Sequence, residues 1–172
     1  MNNLSNVTSE LVTLSALLRD DVARKQYSYL THEHFFYMEN QSVFEAIIAL
    51  LKADKPISKA TVLAQIEKDG NIADIDMEYL QKVESYRVPS AHVEACVRDL
   101  EGYRYTRIVL EGSRMLSKAI EDGESLDLSL NEFNKLLGQT IHAEEKDGLN
   151  DIFSNLFDEY SSDKKVDKFL TG

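Results

Sequence analysis

"VPSAHVEACVRDLEGYRYTRIVLEGSRMLSKAIEDGES", residues 88–125, opens on a helix-start signal and meets no firm stop until its last five letters. Pro89 presets a helical φ, and the Ser90 hydroxyl can accept from the first free amides. Apolar residues then recur at three- and four-residue spacing. Only at "EDGES" (121–125) do glycine and polar residues cluster as they do past a helix end. The span is roughly 30 residues and so about 45 Å at 1.5 Å per residue, more than the width of a small domain. Gly102 and Gly112 lie inside it. Each costs about 1 kcal/mol relative to alanine, so packing must hold the helix or it bends there.

A second helical stretch follows the turn, with Leu130, Phe133, Leu136, Leu137 and Ile141 on one face. Two helices joined by a short Gly-containing turn form an antiparallel hairpin, here residues 89–143. Such a projection has only one other helix to cover its apolar side chains. Val93, Val97, Leu100, Ile108, Leu130, Phe133 and Leu137 are therefore the candidate self-association residues. They are expected to make dimers at least, by a two-fold pairing, and up to a hexamer if bundles also meet. Arg98, Arg104, Arg107 and Arg114 give the long helix a basic stripe. The stripe is either solvated and salt-bridged or a polar contact for an acidic partner surface or passing DNA.

Past "HAEEKDG" (142–148), Leu149, Ile152, Phe153, Leu156, Phe157 and Tyr160 repeat at helical spacing, while the positions between them are Asn, Asp, Ser or Glu. A helix of about three turns is marginal in water and needs a groove to lie in. Residues 144–172 are accordingly read as a linker whose amphipathic helix docks elsewhere; the alternative is that it folds back on its own hairpin. The closing "KKVDKFLTG" is expected to lead into more protein.

Upstream, residues 1–88 read as a helical bundle. Leu11, Leu14, Leu17 and Leu18 share one helical face, and "DDVARKQYSYL" (20–30) suggests a second helix. In "NQSVFEAIIALLKAD" (40–54), Val43, Phe44, Ile47, Ile48 and Leu51 form a broad stripe expected to be buried. Ser58 can cap a helix that carries Val62, Leu63 and Ile66 and stops near Gly70, and a further short helix holds Tyr79, Leu80 and Val83. That makes about five helices, and with only two prolines and no alternating apolar run the fold class is all-α.

"THEHFF" (31–36) admits a metal site or a chain turn. His32 and His34 are two apart and so point to different sides of a helix, and neither His92 nor His142 lies at a metal-motif spacing from them. The segment is read as a turn between helices that sends Phe35 and Phe36 into the core.

The 172 residues carry a formal charge of −11 with 43% hydrophobic residues, enough for a core but a poor balance for gripping nucleic acid alone. One cysteine, Cys96, rules out an internal disulfide and suits a reducing cytoplasm. The longest apolar run, "AIIALL" (46–51), is too short to span a membrane. The seven glycines contain no G-x-x-x-x-G-K-[S/T] phosphate loop, and no G-x-S-x-G or H-E-x-x-H motif occurs. No catalytic, cofactor-binding or metal-ligating residues are assigned, and a cytoplasmic protein without enzymatic activity of its own is expected.

The order of these segments resembles the N-terminal region and linker of DnaB-family replicative helicases. Glu10 and Leu14 are similar to an early E-x-x-x-L helix of that family; Leu30, Glu33 and Phe35 look like its leucine followed by acid-x-Phe. "VFEAIIALLKADKPISKATVLAQIEKDG" (43–70) resembles the family's I-F-x-A-I-x-x-L helix, its Pro-Ile turn and its Thr-Val helix. "MEYLQKV" (77–83) is similar to the Tyr-Leu helix, "VPSAHVEACVRDL" (88–100) to the segment that opens the hairpin, and "KFLTG" to the point where the linker enters the ATPase domain. Asn40 stands where the family often has histidine, and His92 where it often has asparagine. The resemblance implies a scaffold whose hairpins associate into a collar, commonly a trimer of dimers, on which the C-terminal domain of primase and a helicase loader dock. It also implies that ATP, Mg and DNA are handled by a RecA-type domain beyond Gly172. Two other classes stay in play: a partner-side adaptor like the helicase-binding domain of primase, and a small metal hydrolase built on "HEH".

Overall fold

A computed structural model describes residues 4–70, 75–123 and 125–138, with the backbone alone at Leu126. Seven α-helices and one 3-10 turn make up the described chain, with no strand among those residues. The fold class is all-α, as the periodicity predicts. The helices are α1 (Val7–Arg19), α2 (Asp21–Gln26), α3 (Met38–Lys52), α4 (Lys59–Lys68), α5 (Met77–Ser85), α6 (Ser90–Glu121) and α7 (Leu126–Gly138), with the 3-10 turn at His32–His34.

The described residues divide into two compact units, one up to Arg107 and the other from Ile108 onward. In the first, α1 is the central helix: every residue from Ser9 to Leu18 is buried. It packs against α2, α3 and α5, while α4 packs on α3 and α5. Leu14, Leu17, Val43, Ile47, Val62, Leu80 and Val83 make the middle of the core, each fully buried aliphatic contributing roughly 1.5–3 kcal/mol. Polar caps fix where the helices begin. The Asn6 side chain accepts from the amides of Thr8 and Ser9, Asp20 from Val22, Ser58 from Thr61 and Asp76 from Tyr79. At the other end of α1, Arg24 donates to the carbonyls of Leu17 and Leu18, a cation on a helix C-terminus.

Several expectations are corrected. The second helix stops at Gln26 instead of reaching Leu30, because Tyr27 and Leu30 turn inward as core residues. In α3 the buried stripe runs through Val43, Ile47 and Leu50, leaving Leu51 exposed. Apolar residues stand on both sides of this helix, and the neighbours α1 and α4 choose which are covered. Phe35 is buried against Phe44, their ring centres 5.0 Å apart, but Phe36 stays at the surface. The expected boundary at residue 88 falls inside the first unit, since Val93, Val97 and Leu100 of α6 complete the bundle's core. The side chain of Ser9 on α1 donates to Asp99 at 2.9 Å, and the Tyr29 hydroxyl to Glu101 at 2.9 Å, so this half of α6 is tied to the bundle by polar contacts as well.

In the second unit the part of α6 from Ile108 onward and α7 form a helical hairpin. Gly123, at φ +71°, supplies the left-handed residue that ends α6. Phe133 and Leu137 of α7 and Ala119 of α6 are buried. At Gly112 the helices lie close together: a Cβ there would collide with the Phe133 ring. The glycine that costs helix propensity thus makes room for an aromatic ring. Ile141 and the linker helix of Leu149, Ile152, Phe153, Leu156, Phe157 and Tyr160 lie outside the described residues.

Candidate functional site

Glu10 is the most buried ionisable side chain among the described residues, 1% exposed in the middle of the bundle. Its Oε1 accepts from the Phe36 amide at 2.9 Å; its Oε2 accepts from Asn40 Nδ2 at 2.7 Å and, longer, from the Tyr37 amide at 3.5 Å. Asn40, itself fully buried, accepts at its Oδ1 from the Tyr79 hydroxyl at 2.7 Å. The network ties α1, the start of α3 and α5 together around one carboxylate. Burial raises the Glu10 pKa, opposed by the bonds from Asn40, Phe36 and Tyr37 and by the charge of Arg107. The Tyr79 hydroxyl, pushed up to about 12 by burial and then by the charges of Glu39 and Glu10, stays protonated and so donates.

The "HEH" turn is shaped by packing. His34 is buried, and its Nδ1 accepts from the Thr31 amide at 3.0 Å, closing the turn. Burial, with help from Arg104, lowers its pKa to about 4, so the ring is neutral at pH 7. His32 is exposed and stands 3.5 Å from Glu45. No three His, Cys, Asp or Glu side chains group as metal ligands among the described residues.

The arginine stripe divides in two. Arg104 pairs with Glu33, its Nη2 at 2.5 Å and its Nε at 3.1 Å from the same carboxylate oxygen. Arg107 donates to the Leu4 carbonyl at 2.8 Å and to the Glu33 carbonyl at 2.5 Å, and its guanidinium lies 5.8 Å from the centre of the Phe36 ring. These two arginines are bundle fasteners, so as partner contacts they are corrected. Arg98 and Arg114 are exposed and form no ion pair among the described residues.

The apolar candidates divide as well. Val93, Val97 and Leu100 are corrected: the bundle covers them, so they offer no free surface to another copy. Phe133 and Leu137 are covered within the hairpin, and Ile108 and Leu130 are half-buried. The large apolar side chains of the hairpin that stand exposed, among the described residues, are two that the periodicity did not select, Ile120 at 65% and Leu128 at 71%, on either side of the turn. Their signal was present but weak: each is an aliphatic residue flanked by charge, off the stripe that faces the partner helix.

A helical bundle built around a buried carboxylate and, in the second unit, a helical hairpin with apolar side chains exposed near its turn define an all-α domain. The family is then fixed by comparison. Residues 2–101 match the DnaB-like helicase N terminal domain, and the chain belongs to that family. The crystal structure of the N-terminal domain of DnaB helicase from Mycobacterium tuberculosis is similar to it, with a TM-score of 0.68 and 17% sequence identity over 78% of this chain and 97% of that one. At that identity the likeness is one of fold. No curated protein gives a significant match. No described helix is long and apolar enough to cross a membrane.

Proposed function

We propose that this chain is the assembly and docking domain of a hexameric replicative DNA helicase, a non-catalytic scaffold that associates with its own copies and offers a platform to the C-terminal domain of primase or to a helicase loader. ATP, Mg and DNA belong, on this reading, to a RecA-type domain outside the 172 residues, and the setting is the cytoplasm. The observation that carries the self-association is the pair of exposed aliphatic side chains at the hairpin tip, Ile120 and Leu128. A two-fold pairing of the hairpin tips covers both by the simplest closed symmetry.

Sedimentation at high micromolar concentration tests it. The chain is expected as a dimer or larger, with Ile120→Asp combined with Leu128→Asp shifting it to monomer while the melting temperature holds. A parent chain that stays monomeric, or a double variant that associates equally well, overturns the assignment. Calorimetry with ATP and Mg is expected to give no saturable binding, since no phosphate loop is present.

A further inference from the structure

Three consecutive large side chains at the start of α3 are open to solvent: Phe36 at 46%, Tyr37 at 38% and Met38 at 65%. Single exposed apolar residues are ordinary, but a run of three on a fixed corner is not. The corner is held from inside. The buried Glu10 carboxylate takes the amides of Phe36 and Tyr37, the Gln41 side chain donates to the Phe35 carbonyl at 2.9 Å, and Arg107 lies against the Phe36 ring. Phe36 and Tyr37 also meet edge to face, with ring centres 5.4 Å apart. A surface so held has little conformational freedom left to lose when something binds it.

The charges around the corner indicate what that something is. Tyr79 bonds Asn40 and so brings the start of α5 to the start of α3. Glu39, Asp76 and Glu78 stand at these two helix starts, partly or fully exposed and in no ion pair among the described residues. Arg107, the cation against the Phe36 ring, is spent on the carbonyls of Leu4 and Glu33. An apolar surface with an acidic rim, on a chain of net charge −11, repels a second copy and complements a basic segment.

We propose that the Phe36–Tyr37–Met38 corner is a docking site for an amphipathic, Lys/Arg-bearing segment of a different protein, its apolar side chains against the corner and its cations toward Glu39, Asp76 and Glu78. The inference rests on the chain being a docking platform but uses a surface separate from the hairpin tip.

Two synthetic helical peptides with the same Leu/Phe face, one with Lys and Arg on its polar face and one with Asp and Glu, serve as probes in fluorescence anisotropy with the full chain. The basic peptide is expected to bind and the acidic one not. Phe36→Asp and Met38→Asp are each expected to weaken the basic peptide about tenfold, the size of a single hot-spot contact. Each variant also adds a negative charge, which by simple attraction would tighten binding, so the two explanations differ in sign. Met38→Asp places an acid in the first turn of α3, where it suits the helix, and decides the matter if Phe36→Asp lowers stability by losing Arg107.

Equal or tighter binding by the variants, or no binding of the basic peptide to the parent, overturns the proposal. So does a fall in the parent's self-association on Met38→Asp, which would make the corner a contact between copies. Ile120→Asp with Leu128→Asp is expected to leave peptide binding unchanged, so failure of hairpin assembly and failure of the corner are read separately.

Discussion

Glu10→Ala removes the acceptor at the centre of the bundle, and its cost can be worked from the bonds that are lost. The Phe36 amide and the Asn40 side-chain amide, at 2.9 and 2.7 Å, lose a carboxylate partner, and the longer contact from Tyr37 goes too. Hydrogen bonds to a charged group contribute roughly 1.5–3 kcal/mol each, so the two short ones set a gross loss of about 3–6 kcal/mol. Relief of the cost of burying a carboxylate offsets part of this, leaving a net loss of roughly 2–5 kcal/mol. Against a total stability of about 5–15 kcal/mol that is a large share, and it should lower the melting temperature by roughly 10 °C or more. Glu10→Gln should cost less than half as much. Its carbonyl still serves Phe36, and a flip of the Asn40 amide would turn Oδ1 toward the new amide, with the Tyr79 hydroxyl then accepting instead of donating. Urea unfolding followed by circular dichroism measures both variants.

The pH dependence gives a second check on the same residue. The folded Glu10 pKa is raised above its ordinary 4.5 by burial. Between 4.5 and the folded value the unfolded chain has given up its proton while the folded one keeps it. Stability of the parent relative to Glu10→Gln is therefore fully present below 4.5 and declines as pH rises through that interval. A Glu10→Ala loss below about 1 kcal/mol would refute the picture of a buried carboxylate holding the α3 corner, and a relative stability that climbs with pH in that interval would show that the hydrogen bonds to Glu10 outweigh its burial.

His34, lowered to about 4, should remain neutral by NMR titration at pH 5; it should disfavour the fold as pH falls from 6.5 toward 4, because the unfolded ring takes up its proton first. An apparent His34 pKa near 6.5 would show the ring to be solvated. Gly112→Ala should destabilise the hairpin by roughly 1–3 kcal/mol by pushing the Phe133 ring off α6, and Gly112→Ala with Phe133→Leu should recover part of it in thermal melting. Gly102→Ala, with nothing within 4 Å of the new Cβ, should be neutral or slightly stabilising. Arg104→Ala, which removes a pair with an exposed carboxylate, should cost at most about 1 kcal/mol in urea unfolding. Arg107→Ala should cost more, since two backbone carbonyls and the Phe36 ring lose their partner.

Much of this was legible in the residues alone, and for local reasons. Caps at Ser58 and Asp76, the glycine in "EDGES" and the three-and-four spacing of aliphatics act within a turn or two of chain, so helix positions and the hairpin follow from sequence. The order of those segments also carried the family. Which side of each helix is covered is a different matter, because it depends on residues distant in the chain. Val93, Val97 and Leu100 have the spacing of any amphipathic helix, and only the placement of α1 and its neighbours beside them makes them bundle core instead of a free surface. Arg104 and Arg107 look the same in sequence as Arg98 and Arg114; the turn at residues 32–36 engages the first two and leaves the others open. Glu10 reads as an unremarkable acid on α1 until residues 26 to 30 positions later in the chain bring two amides and a carboxamide to it. Sequence by itself determined the helices and their succession, since hydrogen bonds within a helix span four residues. The tertiary structure decided what is buried, paired or exposed, since those contacts join residues far apart in the chain, from the 26 positions between Glu10 and Phe36 to the 103 between Arg107 and Leu4.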